Sequence, residues 1–294
     1  MELTIQNLFK THANGVKALN GVNLRIGPGL FGLLGPNGAG KSTLMQILAT
    51  LQEPDAGQVR LGHLDVLRQK DEVRKVLGYL PQEFGLYPNV TAQVLLDHFA
   101  CLKGIAGRNQ RREAVEQLLG QTNLYAQRHK KLGTYSGGMK RRFGIAVALL
   151  GNPRLVIVDE PTAGLDPGER NRFLDLLSEI GEHVIVMLST HIVDDVTDLC
   201  GQVAIMGRGE VYVTGKPAEV IGSMQGKVWR TVTSKEALPG LRERHHVIST
   251  KLVGGKPVVR VYSESVLNGS FGPAEANLED VYFYRVVNPP ATGR

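Results

Sequence analysis

The run Gly35-Pro36-Asn37-Gly38-Ala39-Gly40-Lys41-Ser42 sets glycines, one lysine and one hydroxyl at a spacing suited to wrapping a chain of phosphates. Backbone N–H groups in such a loop converge on phosphate oxygens, and the partial positive charge at the start of the following helix adds to their pull. Lys41 is placed to reach the β- and γ-phosphates, while Ser42 offers a hydroxyl to Mg²⁺. Thr43 follows directly and is grouped with the cradle. Glycine at 35, 38 and 40 keeps Cβ atoms out of a turn they would strain or crowd. The chemistry in view is capture of a nucleoside triphosphate with its metal.

A second set of residues suits transfer of the terminal phosphate. Asp159-Glu160 closes the apolar run Leu155-Val156-Ile157-Val158. An acid there suits Mg²⁺ coordination, and the carboxylate beside it suits orienting or deprotonating an attacking water. Adjacent acids at a strand end otherwise make a solvated turn, and the cradle upstream favours the chemical reading. Ser136-Gly137-Gly138, just before a helical run at 140–150, is another anion-binding arrangement with a free hydroxyl and helix-start N–H groups. A plain capping turn is the alternative there. Taken singly, Gln82 reads as a surface or capping glutamine and His191 as a satisfied core histidine.

Periodicity gives the elements that must hold these groups. Residues 30–34 before the cradle and 43–48 after it read as strand, loop, helix. Residues 3–8 and 16–26 alternate apolar and polar positions around a turn at Ala13-Asn14-Gly15 and read as two strands. From about residue 69 to 134 the pattern is mostly helical, with Val94, Leu95, Phe99 and Leu102, then Val115, Leu118 and Leu119, at helix spacing. Residues 155–158, 184–188 and 203–206 read as buried parallel strands, the second ending in Ser189-Thr190-His191. After Gly215, strands are expected at 229–232, 246–249 and 258–262, with helices at 238–244 and 277–285.

Bulk composition narrows the classes. The chain has 294 residues, 42% hydrophobic and 21% charged, which is ordinary globular content. That length allows one large domain with an appendage, or two medium ones. A formal charge of +6 admits nucleic acid or an anionic membrane as partner without selecting either. The groups Arg108/Arg111/Arg112, Lys130/Lys131 and Lys140/Arg141/Arg142 read as solvated helix faces. Cys101 and Cys200 lie in apolar-periodic segments without close cysteine or histidine partners, so buried free thiols in a reducing compartment are expected. No run reaches the roughly 18 apolar residues a spanning helix needs, and the first residues lack the pattern of a signal peptide. The protein is therefore expected in the cytosol unless a partner holds it at a membrane. The tail at 288–294, with Pro289, Pro290 and Gly293, is not expected to build a core.

In their order these motifs resemble the ATP-binding subunit of ABC transporters, over essentially residues 1–225. Residues 35–42 resemble the Walker A motif, Gln82 in Tyr79-Leu80-Pro81-Gln82-Glu83 the Q-loop glutamine, and residues 136–139 the ABC signature. Residues 155–160 resemble Walker B, Ala163-Gly164-Leu165-Asp166 the D-loop, and His191 the switch histidine. Met139 stands where the family often has glutamine. His12 stands where relatives often place a base-stacking tyrosine, with Phe9 nearby, which leaves open which ring stacks and whether ATP or GTP is taken. Residues 78–91 and Leu278-Glu279-Asp280-Val281-Tyr282 look like the ATPases of drug, polysaccharide and sodium exporters whose membrane domains are separate chains.

The resemblance implies an α/β fold of the P-loop NTPase kind: a mostly parallel sheet, an antiparallel β subdomain, a helical insertion and a small α+β appendage. Residues 1–225 would form the ATPase domain, with its helical part at about 85–150, and 226–294 an accessory domain. ATP and Mg²⁺ are the implied ligands, with Ser42, Gln82 and Asp159 on the metal. Residues 35–43, Gln82 and His12 would hold nucleotide, and Ser136, Gly137 and Gly138 of a second chain would close over its γ-phosphate. Glu160 would polarise the lytic water, His191 would hydrogen-bond the γ-phosphate, and Asp166 would link the two sites of a homodimer. A permease on a separate chain would hold the pair at the cytoplasmic face of the membrane and be driven to export. Phe84, Leu86 and Tyr87 after Gln82 suit either a docking surface for that permease or the core of the helical insertion. A nucleic-acid or ribosome-associated ABC ATPase is the rival, but such chains carry fused cassettes or coiled-coil insertions. This sequence has one Walker A and no sustained heptads, so no nucleic acid is expected.

Overall fold

The computed structural model describes residues 1–287, and the Pro-Pro-Gly tail considered above lies outside the described residues. Alternating residues build β1 (Leu3–Thr11) and β2 (Lys17–Ile26), which pair antiparallel with Leu3, Ile5 and Leu8 of β1 turned inward. β3 (Gly29–Leu34) is buried along almost all its length and runs through the glycine loop into α1 (Lys41–Leu48). β4 (Ala56–Leu61) and β5 (Leu64–Asp65), which periodicity did not announce, complete a four-stranded sheet in the order β2-β1-β4-β5.

α2 (Lys70–Lys75) is followed by β6 (Leu77–Leu80), which corrects the expectation of a mostly helical stretch there. β6 pairs in parallel with β7 (Leu155–Asp159), so its four residues belong to the main sheet. The helices expected next are α3 (Ala92–Leu102), α4 (Arg108–Gln121) and α5 (Gly137–Ala148), packed around Leu95, Leu96, Val115, Leu119 and Phe143. α3 presents Ala92, Leu95, Leu96 and Ala100 inward, a stripe that leaves Val94 61% and Leu102 70% exposed. Cys101 falls one position beyond that stripe and is exposed, contrary to expectation, whereas Cys200 is buried.

α6 (Pro167–Gly181), β8 (Ile185–Thr190), α7 (Val193–Leu199), β9 (Gln202–Gly207) and β10 (Glu210–Gly215) finish the six-stranded sheet, whose order is β10-β9-β3-β8-β7-β6. Every pairing in it is parallel except that of β9 with β10. β7 and β8 have every residue buried, as sandwiched parallel strands require.

α8 (Pro217–Gly222) leads to β11 (Val228–Val232), α9 (Leu238–Arg244), β12 (His246–Val253), β13 (Lys256–Tyr262) and β14 (Gly272–Pro273), an antiparallel sheet in the order β12-β13-β11-β14. α10 (Leu278–Tyr282) is capped by Asn277 and is shorter than the helix expected at 277–285, passing into a wider turn over Phe283–Val287. Its Leu278 and Val281 join Ile248, Val186, Leu188, Val196 and Val203 in one apolar cluster, which fastens this last sheet to the central one. No helix among the described residues is long and apolar enough to cross a membrane.

Candidate nucleotide site

The glycine loop leaves β3 at the C-terminal edge of the parallel sheet, where open α/β sheets place ligands. Gly40 has φ +101, and a Cβ on it would lie 2.3 Å from the Ala18 carbonyl oxygen, so both conformation and space demand glycine. Lys41 opens α1 and is 5% exposed. Its ammonium donates to the Gly35 carbonyl at 2.6 Å and to the Pro36 carbonyl at 3.2 Å. The loop thus curls around its own cation, at the place where phosphate oxygens would compete for it.

β8 lies between β3 and β7, and its end brings the remaining groups to the loop. Register pairs Asp159 with Ser189 across the two strand ends. The Ser189 hydroxyl donates to Asp159 Oδ1, while Ser189 Oγ and Ser189 O each lie 3.1 Å from the Glu160 N–H that donates to them. Glu160 sits at φ +47, a left-handed conformation that costs a non-glycine residue free energy and survives where its surroundings over-determine it. Its carboxylate is 6% exposed, with Oε2 at 2.7 Å from His191 Nδ1 and Oε1 at 3.4 Å from Lys41 Nζ. Oε1 is buried without a hydrogen-bond partner, an acceptor left free inside the site. Tyr79, on the neighbouring strand, is pushed up to about 12 by burial and by the Asp159 charge, so its phenol stays neutral.

Ser42 is exposed at the first turn of α1, and Asp159 is 3% exposed at the end of β7. Hydroxyl, carboxylate and amide oxygens are the hard donors Mg²⁺ takes. No cluster of three or more His, Cys, Asp or Glu able to hold a metal occurs among the described residues. A metal held by one or two protein groups together with substrate phosphates fits that arrangement.

The other expected site residues are held by contacts of their own. His12 Nε2 lies 3.4 Å from Thr43 Oγ1, which sets the imidazole beside the cradle, while the Phe9 ring lies against Gly21. Gln82 is exposed, its backbone carbonyl accepting from Arg141 at 2.6 Å. Ser136 caps α5 by accepting from the Met139 N–H at 3.2 Å, and Ser136 and Gly137 are exposed. Gly138 is buried beneath Glu169, whose Oε2 would lie 2.2 Å from a Cβ there; Arg142 and Arg172 hold that carboxylate in place. Asp166 caps α6 by accepting from the Glu169 N–H at 2.9 Å. Phe84 and Leu86 pack against the helical core, as the core reading of that segment expects, whereas Tyr87 is 65% exposed.

Sequence reasoning gave no role to Ser189, Thr162 or Asp195. The equal distance of Ser189 and Asp159 from the ends of their apolar runs was the available signal for the first. Asp195 lies among other acids on a short helix, and nothing local marks it as buried.

A glycine loop between a central strand and a helix, facing an acidic pair from the strand next but one, defines a P-loop nucleoside triphosphatase. The family model described as ABC transporter matches residues 19–163. The ABC transporter ATP-binding protein YxlF of Bacillus subtilis (strain 168) is 37% identical over 248 residues, covering 84% of this chain and 81% of that protein. The chain belongs to the family of ABC transporter ATP-binding proteins. YbhF of Escherichia coli (strain K12), named as a probable multidrug ABC transporter ATP-binding protein, is 34% identical over 77% of this chain, a match that spans 40% of YbhF. Among solved structures, a dimeric post-hydrolysis state of the ATP-binding cassette MJ0796 bound to ADP and Pi has a TM-score of 0.66 at 27% identity, covering 73% of this chain and 98% of that one.

Proposed function

We propose that this chain is the ATP-hydrolysing subunit of an exporter, working as a head-to-tail pair beneath a permease carried on separate chains. The observation that carries the reading is the meeting of buried Lys41 and half-exposed His191 on the buried Glu160 carboxylate, at 3.4 and 2.7 Å from the glutamate. Three separate stretches of chain converge there with one cation, one carboxylate and one imidazole, which suits phosphoryl transfer by positioning and charge stabilisation. The multidrug wording of YbhF supports export, and the dimeric state of MJ0796 supports a working pair.

In this scheme residues 35–43 hold the phosphates, His12 lies against the base, and Lys41 leaves the loop carbonyls for the β- and γ-phosphates. Ser42, Gln82 and Asp159 hold Mg²⁺, which when bound neutralises charge on the leaving diphosphate. Glu160 Oε1, which has no hydrogen-bond donor in the site, accepts from the lytic water, and His191 donates to the γ-phosphate. Ser136, Gly137 and Gly138 of a second copy close over it, and Asp166 meets its counterpart across the interface. Residues 1–225 form the ATPase domain, with a helical part at about 85–150, and 226–294 an accessory domain. The location is the cytoplasmic face of a membrane, reached through the permease, and nucleic acid plays no part.

Glu160→Gln is expected to keep ATP binding, lower turnover at least about a hundredfold, and accumulate an ATP-dependent dimer in sedimentation. Turnover within about tenfold of the parent would remove Glu160 from its role. Tyr87, the exposed member of its segment, is the residue set to meet a permease loop. Tyr87→Ala should uncouple transport in vesicles while basal ATPase and melting temperature hold; a joint loss of all three would return Tyr87 to a packing role.

A further inference from the structure

Asp195, on α7, is a buried carboxylate that the scheme above leaves without a task. It is 1% exposed, and both of its oxygens are engaged. Oδ2 accepts from the Thr162 hydroxyl at 2.8 Å. Oδ1 accepts from Arg170 Nε at 2.7 Å and lies 2.6 Å from Arg170 Nη2. A buried charge held this way is costly to disturb, because removing one partner strands the other in a dry setting. The Cys200 thiol nearby is pushed up to about 12 by burial and by the Asp195 charge, in keeping with little water around that carboxylate.

What these bonds connect gives Asp195 its interest. Thr162 lies two residues beyond Glu160, in the turn whose left-handed start at φ +47 needs fixing from outside. Ser189 fixes the entry to that turn through the Glu160 N–H. Thr162 is 4% exposed, and its bond to Asp195 fixes the exit. Arg170 belongs to the first turn of α6, the helix that Asp166 caps. Asp195 itself follows His191 by four residues, in the first turn of α7. One carboxylate therefore ties together the three short segments that carry Glu160, Asp166 and His191.

We propose that Asp195 is a positioning residue for hydrolysis, bracing the turn after Glu160 so that its carboxylate is held at His191 and Lys41 in the geometry the attacking water needs. The inference rests on the reading of Glu160 given above. Displacing a reacting group by about 1 Å is enough to cost on the order of a hundredfold in rate. The Thr162 and Arg170 bonds limit movement of the Glu160 backbone. ATP itself is held by the loop on the far side, so binding should be nearly indifferent to the brace.

The test compares the full chain with Asp195→Asn, Thr162→Val and Thr162→Ser, using steady-state ATP hydrolysis and amide hydrogen exchange. Asp195→Asn and Thr162→Val should each lower kcat about tenfold or more with KM for ATP within about twofold, and Thr162→Ser, which keeps the hydroxyl, should stay within about threefold of the parent. Amides of residues 160–166 should exchange faster in the first two variants while those of β3 and β7 keep their protection. Unchanged kcat with unchanged exchange would overturn the proposal. So would a loss of protection throughout the sheet, which marks general loosening, or equal rates in the Val and Ser variants. Absence of Mg²⁺-dependent hydrolysis in the parent chain would count against the functional reading alone; the exchange comparison would still decide the brace, with equal protection at 160–166 rejecting it.

Discussion

Ser189 shows how much one hydroxyl can organise. It donates to Asp159, accepts from the Glu160 N–H, and so fixes both acids from a neighbouring strand. Ser189→Ala is expected to leave the Asp159 carboxylate short of a donor and to lower stability by about 1–3 kcal/mol, read by chemical denaturation, with turnover falling as well. A stability change below about 0.5 kcal/mol would show that water or another group replaces the hydroxyl. At this scale the sequence was partly legible. Lys41, Glu160 and His191 could be named from motif order, since their chemistry travels with their neighbours in the chain. Ser189, Thr162 and Asp195 could not, because their partners come from distant segments and only the folded register brings them within bonding distance.

Among the elements, β6 is the instructive difference. Four residues between helical patterns carry too little periodicity to identify a strand, and β6 gains its place from pairing with β7 rather than from its own sequence. Its Gly78 has a backbone neighbour on α5, the Ala148 carbonyl oxygen, at 2.1 Å from where a Cβ would stand. Gly78→Ala must therefore push α5 away from the sheet. A loss of about 1–3 kcal/mol is expected in thermal or denaturant unfolding, since backbone cannot step aside as a side chain can. An unchanged midpoint would mean that strand and helix separate freely at this point. α3 teaches a different lesson, because its helical spacing was read correctly while its inward stripe was displaced. Val94, Leu102 and Cys101 are apolar enough to be mistaken for core, and only packing against α4 and α5 selects the true inner face.

Across the whole molecule, the change in pattern after Gly215 was legible as a separate run of strands and helices, but its attachment was not. Ile248, Ala276, Leu278 and Val281 lie in the same apolar cluster as Val186, Leu188 and Val196 of the central sheet and its cover. Cutting the chain after residue 225 would uncover that surface. The 1–225 fragment is expected to be poorly soluble or to bind apolar dyes where the full chain does not, as exposed contiguous apolar patches do. A monodisperse fragment with the parent's melting temperature would show that the cluster contributes little.

The solvent-facing position of Cys101 has a practical corollary. The other sulfhydryl, Cys200, is shut in and held protonated, so each copy offers one reachable cysteine sulfur, near the end of α3. A dye or spin label attached there would mark each copy once without any engineered anchor, and would give the proposed pair a built-in ruler for its opening and closing.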